Sequence, residues 1–174
     1  LCRGRSSLVL RPRGFRVGRK TVVGEYRLAD VFRGLESSHA LSRVYGSREE
    51  MAKVIKHLKL SVEDTDWGLW LDRDTGKICI GQRHLATAPA SFLYLDVIHV
   101  LVHVKQFLEG KELYDQAFEY VDRPTELEAY RFTVAEARRL GMKEEEILRY
   151  LRMDAMDDTE LGKLMEKIGV KIRR

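Results

Sequence analysis

Asparagine is absent from this sequence, glutamine occurs only at Gln82, Gln106 and Gln116, and cysteine only at Cys2 and Cys79. Two cysteines so far apart exclude a disulfide framework and any Cys-x-x-Cys zinc site, and leave a reducing, cytoplasmic setting as the expected compartment. The shortage of side-chain amides in a chain rich in Arg, Lys and Glu fits a thermophile or, equally, a GC-rich genome. Internal repeats and low-complexity segments are also missing, so no solenoid is expected. No membrane span is expected either, because the most apolar run is interrupted by Asp96, His99, His103 and Lys105.

What is present is enough for one core. A chain of 174 residues can bury a single well-packed interior but not two ordinary ones. Its net charge of +4 is unevenly spread: residues 1–20 hold Arg3, Arg5, Arg11, Arg13, Arg16, Arg19 and Lys20 with no acid, leaving 24 basic against 27 acidic side chains in the remainder. Residues 1–20 read as a basic, flexible tail, and 21–174 as one domain. The tail's charge suits contact with nucleic-acid phosphates, and its composition also suits a transit peptide.

Along the body, Thr21–Val23 reads as a short strand, and Glu25–Leu35 as a helix with apolar residues at 28, 31, 32 and 35. Ser47 with Glu50 forms a capping-box signal for a helix running to about Leu60. Trp67–Leu71 and Lys77–Ile80 flank Asp72-Arg73-Asp74-Thr75-Gly76, a β-hairpin pattern. A regular strand there puts Trp67 and Trp70 on opposite faces, and core packing is the expected role of both. After a loop containing His84 and Pro89, a helix runs from about Ser91 to Leu108 and ends at Gly110. Another starts near Asp122, with Pro124 in its first turn, and stops at Gly141. Helices over 143–153 and 158–168 complete an α+β pattern.

The helix ending at Leu108 carries the chemistry. His99 and His103 stand four residues apart and therefore share a face. Asp96 and Gln106 extend that face into a narrow polar stripe on a helix otherwise apolar all round, so the stripe is buried and its groups need partners. Two imidazoles at this spacing are a ready pair of zinc ligands. Carboxylates are near at hand in Glu126 and Glu128, which lie two residues apart on roughly opposite faces of the following helix, so only one of them can face the histidines.

A hairpin, then Asp96-Val97-Ile98-His99-Val100-Leu101-Val102-His103-Val104-Lys105-Gln106, then Arg123-Pro124-Thr125-Glu126-Leu127-Glu128-Ala129-Tyr130 resembles the zincin metallopeptidases whose third zinc ligand is a glutamate. The resemblance spans residues 67–140. It implies a zincin-like fold, a zinc cofactor, and His99, His103 and Glu128 as ligands, Glu128 because the family's glutamate commonly precedes a small residue, here Ala129. Glu126 is the reserve ligand, with Asp96 also held in reserve for the site. In that family the glutamate after the first histidine is the general base, and here that position is Val100, which cannot accept a proton. The resemblance thus implies a pseudo-peptidase, a module that holds a peptide or protein partner. An active hydrolase would need a substitute base, with Asp96, Glu119 or Glu126 the candidates. Tyr114 and Tyr120, between the two site helices, are candidate oxyanion donors. His39, His57 and His84 read as surface residues. A rival reading is a nucleic-acid-binding protein, in which the Ser47 helix and the hairpin form a winged helix-turn-helix aided by residues 1–20.

Overall fold

The computed structural model describes residues 14–19, 22–152 and 156–171. Its strands are β1 Arg16–Val17, β2 Gly24–Arg27, β3 Phe32–Arg33, β4 Lys59–Glu63, β5 Leu69–Leu71 and β6 Ile78–Gly81. Its helices are α1 Leu28–Val31, α2 His39–Val44, α3 Arg48–Ile55, α4 Gln82–Thr87, α5 Ala90–Leu108, α6 Pro124–Arg139, α7 Glu144–Leu151 and α8 Asp158–Ile168. The class is α+β, as the pattern of elements suggested.

Helix α5 is the axis of the molecule. Its apolar residues are buried nearly all round, with Leu93, Leu95, Val97, Ile98 and Leu101 fully enclosed, each contributing roughly 1.5–3 kcal/mol by leaving water. By length and composition alone this helix could cross a bilayer, but 72% of its most apolar window is buried inside the fold, as in a core helix, and no membrane span is shown. Helix α6 packs along it. Gly110 and Gly141, just past the two helices, take left-handed φ of 74° and 83°, which only glycine adopts without strain and which turns the chain out of each helix. Pro124 opens α6, where its missing N–H costs nothing.

A four-stranded sheet in the order β2-β4-β6-β5 lies against α5, with β4 and β6 parallel and the other pairs antiparallel. The hairpin β5–β6 is therefore present, and its outer strand β5 packs on α5. Trp67 lies before the strand rather than in it, so its ring is 65% exposed and meets Trp70 edge to face at 5.7 Å. The expected core role of Trp67 does not hold.

Three other expectations are corrected. In place of a helix over 25–35 the chain forms β2, one turn of α1 and β3; Leu28, Val31, Phe32 and Leu35 are all buried, but pairing of Gly24–Arg27 with β4 overrides the helical period. The Ser47 helix starts as expected, with the Ser47 hydroxyl accepting from Glu50 N at 3.1 Å, yet it ends at Ile55 because Leu60 and Val62 alternate inward as β4. Residues 82–87 form α4, not loop. Of the expected 21–23 strand, Thr21 lies outside the described residues, and Val22 and Val23 precede β2.

The basic tail is shorter than its composition suggests. Residues 1–13 and 20 lie outside the described residues, but Phe15 is 2% exposed, stacked near Phe32 and set edge-on to Tyr94, and β1 pairs with β3. The Arg19 guanidinium donates to the carbonyls of Leu85, Ala86 and Ala88 at 3.2, 3.0 and 2.8 Å, closing the C-terminal end of α4. Residues 14–19 thus belong to the folded body.

Candidate metal centre

Helix α5 presents His99 and His103 one turn apart toward α6, and α6 answers with Glu126 rather than Glu128. The Nε2 atoms of His99 and His103 lie 3.0 Å apart, and Glu126 Oε2 lies 3.3 Å from each. All three side chains are at least five-sixths buried. The reserve ligand is therefore the one that meets the histidines. Glu128 is turned away, its Oε2 accepting from Gln106 Nε2 at 2.8 Å and from Lys111 Nζ at 3.2 Å. A signal for this existed in the sequence: Glu126 falls on the stripe Ala129, Tyr130, Thr133, Val134, Ala137 that α6 buries, at steps of three and four, and Glu128 falls off it.

The proton positions can be argued from the acceptors. Gln106 Nε2 donates to Thr125 O at 3.0 Å as well as to Glu128, and neither partner can donate back. The amide is thereby oriented with Oε1 toward His103 Nδ1, 2.8 Å away. In its neutral form His103 then carries its hydrogen on Nδ1 and keeps a lone pair on Nε2. Of the three converging atoms only His99 Nε2 can then bring a hydrogen in the neutral pair, and one hydrogen serves one acceptor well. Glu126 Oε2 is left buried without a well-formed hydrogen bond. Burial pushes the Glu126 carboxyl up, while His103 and His99 beside it more than offset that and hold it well below the usual carboxylate range. It is an ionised group in a dry place.

Such a triangle of acceptors suits a cation. Ligand atoms at the 2.0–2.1 Å typical of zinc, spread at tetrahedral angles, lie about 3.3 Å apart; here the separations are 3.0, 3.3 and 3.3 Å. His99, His103 and Glu126 could hold a metal ion, and geometry alone does not name which.

The triad opens on a cleft of about 220 Å³ lined by Leu69, Trp70 and Leu71 of β5, Asp96 and Val100 of α5, and Tyr114, Tyr120 and Tyr150. Val100 faces this space while remaining 1% exposed. Asp96 does not reach the triad as a fourth ligand; its Oδ2 lies 2.8 Å from His84 Nε2, with both side chains mostly buried. His84 is thus a partner of the site helix and not a surface residue, because residues 82–87 are helical and bring its ring to Asp96. His39 and His57 are exposed, as expected. The phenols of Tyr114 and Tyr120 are engaged elsewhere, Tyr114 donating to Leu71 O at 2.8 Å and Tyr120 paired with the Tyr130 hydroxyl at 2.8 Å. Glu119 faces Lys163 on α8. No protein-family profile, no curated protein and no solved structure matches this chain.

Proposed function

We propose that this chain is a zinc-binding, zincin-like protein whose cleft holds an extended peptide and lacks the glutamate-assisted hydrolysis of the active enzymes. The observation that carries the reading is the buried triangle of His99, His103 and Glu126, whose edges match those of a tetrahedral zinc site. Three protein ligands with one position left toward a cleft is the arrangement of a site that meets an external ligand. Strand β5 supports the peptide part of the reading: it is the outer strand of its sheet and borders the cleft, so a peptide could pair along it by strand addition. Loss of proteolysis rests on Val100, since a positioned base is worth ~10²–10⁴ in rate.

The test is metal content, by plasma mass spectrometry, of protein purified without added metal or metal-affinity resin, beside a His99→Ala, His103→Ala variant. About one zinc per chain, lost in the variant, is the expected result. No metal, even after zinc is offered, overturns the reading.

A second reading, an active hydrolase, is favoured by one observation. Asp96 lines the cleft one helical turn before Val100 and is held by His84, as an oriented substitute base requires. It predicts peptide turnover that is abolished both by chelation and by Asp96→Asn. Turnover absent from the zinc-loaded protein, and gained with Val100→Glu, supports the first reading over the second.

A further inference from the structure

Four arginine forks among the described residues are filled by a carboxylate or by carbonyls. Arg27 grips Asp30, Arg138 grips Glu144 and Arg139 grips Glu136, each through two nitrogens, and Arg19 takes three carbonyls. Arg123 differs. It immediately precedes α6, three residues before Glu126, and its Cζ lies 6.0 Å from the ring centroid of Tyr114 and 5.9 Å from that of Tyr120. Both rings line the cleft. Arg123 Nε is buried with no acceptor, and among the described residues no carboxylate lies within ion-pairing distance of this guanidinium. A second cation, Arg73, sits 5.5 Å from the Tyr114 centroid. Its acidic neighbours are Asp74, at 3.9 Å and 85% exposed, and Asp72, whose carboxylate is held by Thr75.

A buried guanidinium N–H without an acceptor is costly, and the planar fork is shaped for a carboxylate. The aromatic faces hold the cation by its π-facing side and leave its edge for hydrogen bonding. With both phenols already engaged, the Arg123 guanidinium beside these rings, which does not itself line the cleft, has donors to spare. We propose that the edge of the cleft at Tyr114 and Tyr120 is an anion-binding subsite, in which Arg123, assisted by Arg73, binds a carboxylate that the ligand held beside the metal triad extends past these rings. This rests on the cleft being a peptide site. It adds that the peptide brings an acid, either its own C-terminus or an Asp or Glu side chain.

The test uses the full chain labelled with ¹⁵N, reading the arginine Nε–H resonance that shows contacts to the Tyr114 and Tyr120 rings. Three peptides are titrated, with and without zinc: N-acetyl-Ala-Phe, N-acetyl-Ala-Glu-amide and N-acetyl-Ala-Phe-amide. One of the two acids is expected to shift that resonance and to bind about tenfold or more tightly than the amide. Which acid does so names the source. The preference should vanish in Arg123→Gln and survive in part in Arg123→Lys. Equal binding of acid and amide, no binding of either acid, or a preference that persists in Arg123→Gln would overturn the subsite. The wild-type resonance decides without a variant should Arg123→Gln fail to fold. Failure of the metal reading is separable: zinc then changes nothing, while the acid preference is still read in the metal-free protein.

Discussion

Helix α6 buries two glutamates nearly three turns apart, and they are different objects. Glu136, 2% exposed, receives donors from every side: Tyr94 OH at 2.8 Å and the Arg139 fork at 2.6 and 2.8 Å, with Ser38 completing the chain through Tyr94. Glu126, 5% exposed, meets two imidazole Nε2 atoms, one of which is an acceptor when its ring is neutral. The first carboxylate is satisfied by the fold alone. The second has a buried oxygen, Oε2, without a well-formed hydrogen bond, and its cluster with His99 and His103 could hold a metal ion. Burial of an acid is thus no guide to its role until the direction of every hydrogen around it is settled.

Neutralising each acid in turn separates the two roles. Glu126→Gln removes a ligand and should lower zinc affinity by more than about 100-fold, beyond what loss of a supporting group usually costs. Glu136→Gln should leave affinity within about threefold, since distant, unshared sites act independently. Competition with a chromophoric chelator measures both, and equal losses would remove the distinction.

Stability of the metal-free protein reverses the order. Glu126→Gln exchanges a crowded acceptor for a side chain that can donate to an Nε2, and the variant should be at least as stable as the parent. Glu136→Gln weakens the fork with Arg139, itself 44% exposed, and confronts Tyr94 with an amide in place of a carboxylate. A loss of ~1–3 kcal/mol is expected for this buried, charge-assisted network. Urea unfolding after chelation reads both. A Glu126→Gln variant clearly less stable than Glu136→Gln would mean that the triad is an ordinary polar cluster.

The two acids also show how far the sequence could be read. Helices α5 to α8 declare themselves by period, by Pro124 at an entry and by Gly110 and Gly141 at exits, because a helix is held by bonds within itself. The histidine pair is visible for the same reason. Strands β2 and β4 are not, because their existence depends on partners far along the chain: Glu25 on Ser61, and Val62 on Ile80. His84 escapes for a similar reason, since its partner Asp96 belongs to the next helix. The choice of Glu126 over Glu128 was legible, but in the phase of the α6 stripe and not in the small residue that follows Glu128.

Gln106 extends the comparison outward. Its amide links His103 to Thr125 and Glu128 and fixes the imidazole tautomer. Gln106→Leu should weaken zinc binding about tenfold, the lower end for an outer-sphere group. Long-range ¹H–¹⁵N correlation should then show His103 losing its Nδ1–H form in the metal-free state. A tautomer unchanged by Gln106→Leu would show that the amide orders nothing.

Glu128 provides the smallest effect and the most direct check on the ligand set. Its side chain is 41% exposed; burial raises its pKa, and Gln106 and Lys111 more than offset that. Glu128→Gln keeps an oxygen for the Gln106 amide and gives up mainly an exposed ion pair with Lys111, an interaction worth little in solution. Zinc affinity should fall by roughly threefold or less. Glu128→Ala removes the acceptor as well, so its effect should approach that of Gln106→Leu without exceeding it, because Glu128 reaches the metal site only through that amide. A loss in Glu128→Gln as large as in Glu126→Gln would instead make Glu128 a ligand. It would require α6 to turn by half a revolution in the loaded protein, exposing Ala129 and Tyr130, which here are 0% and 1% exposed.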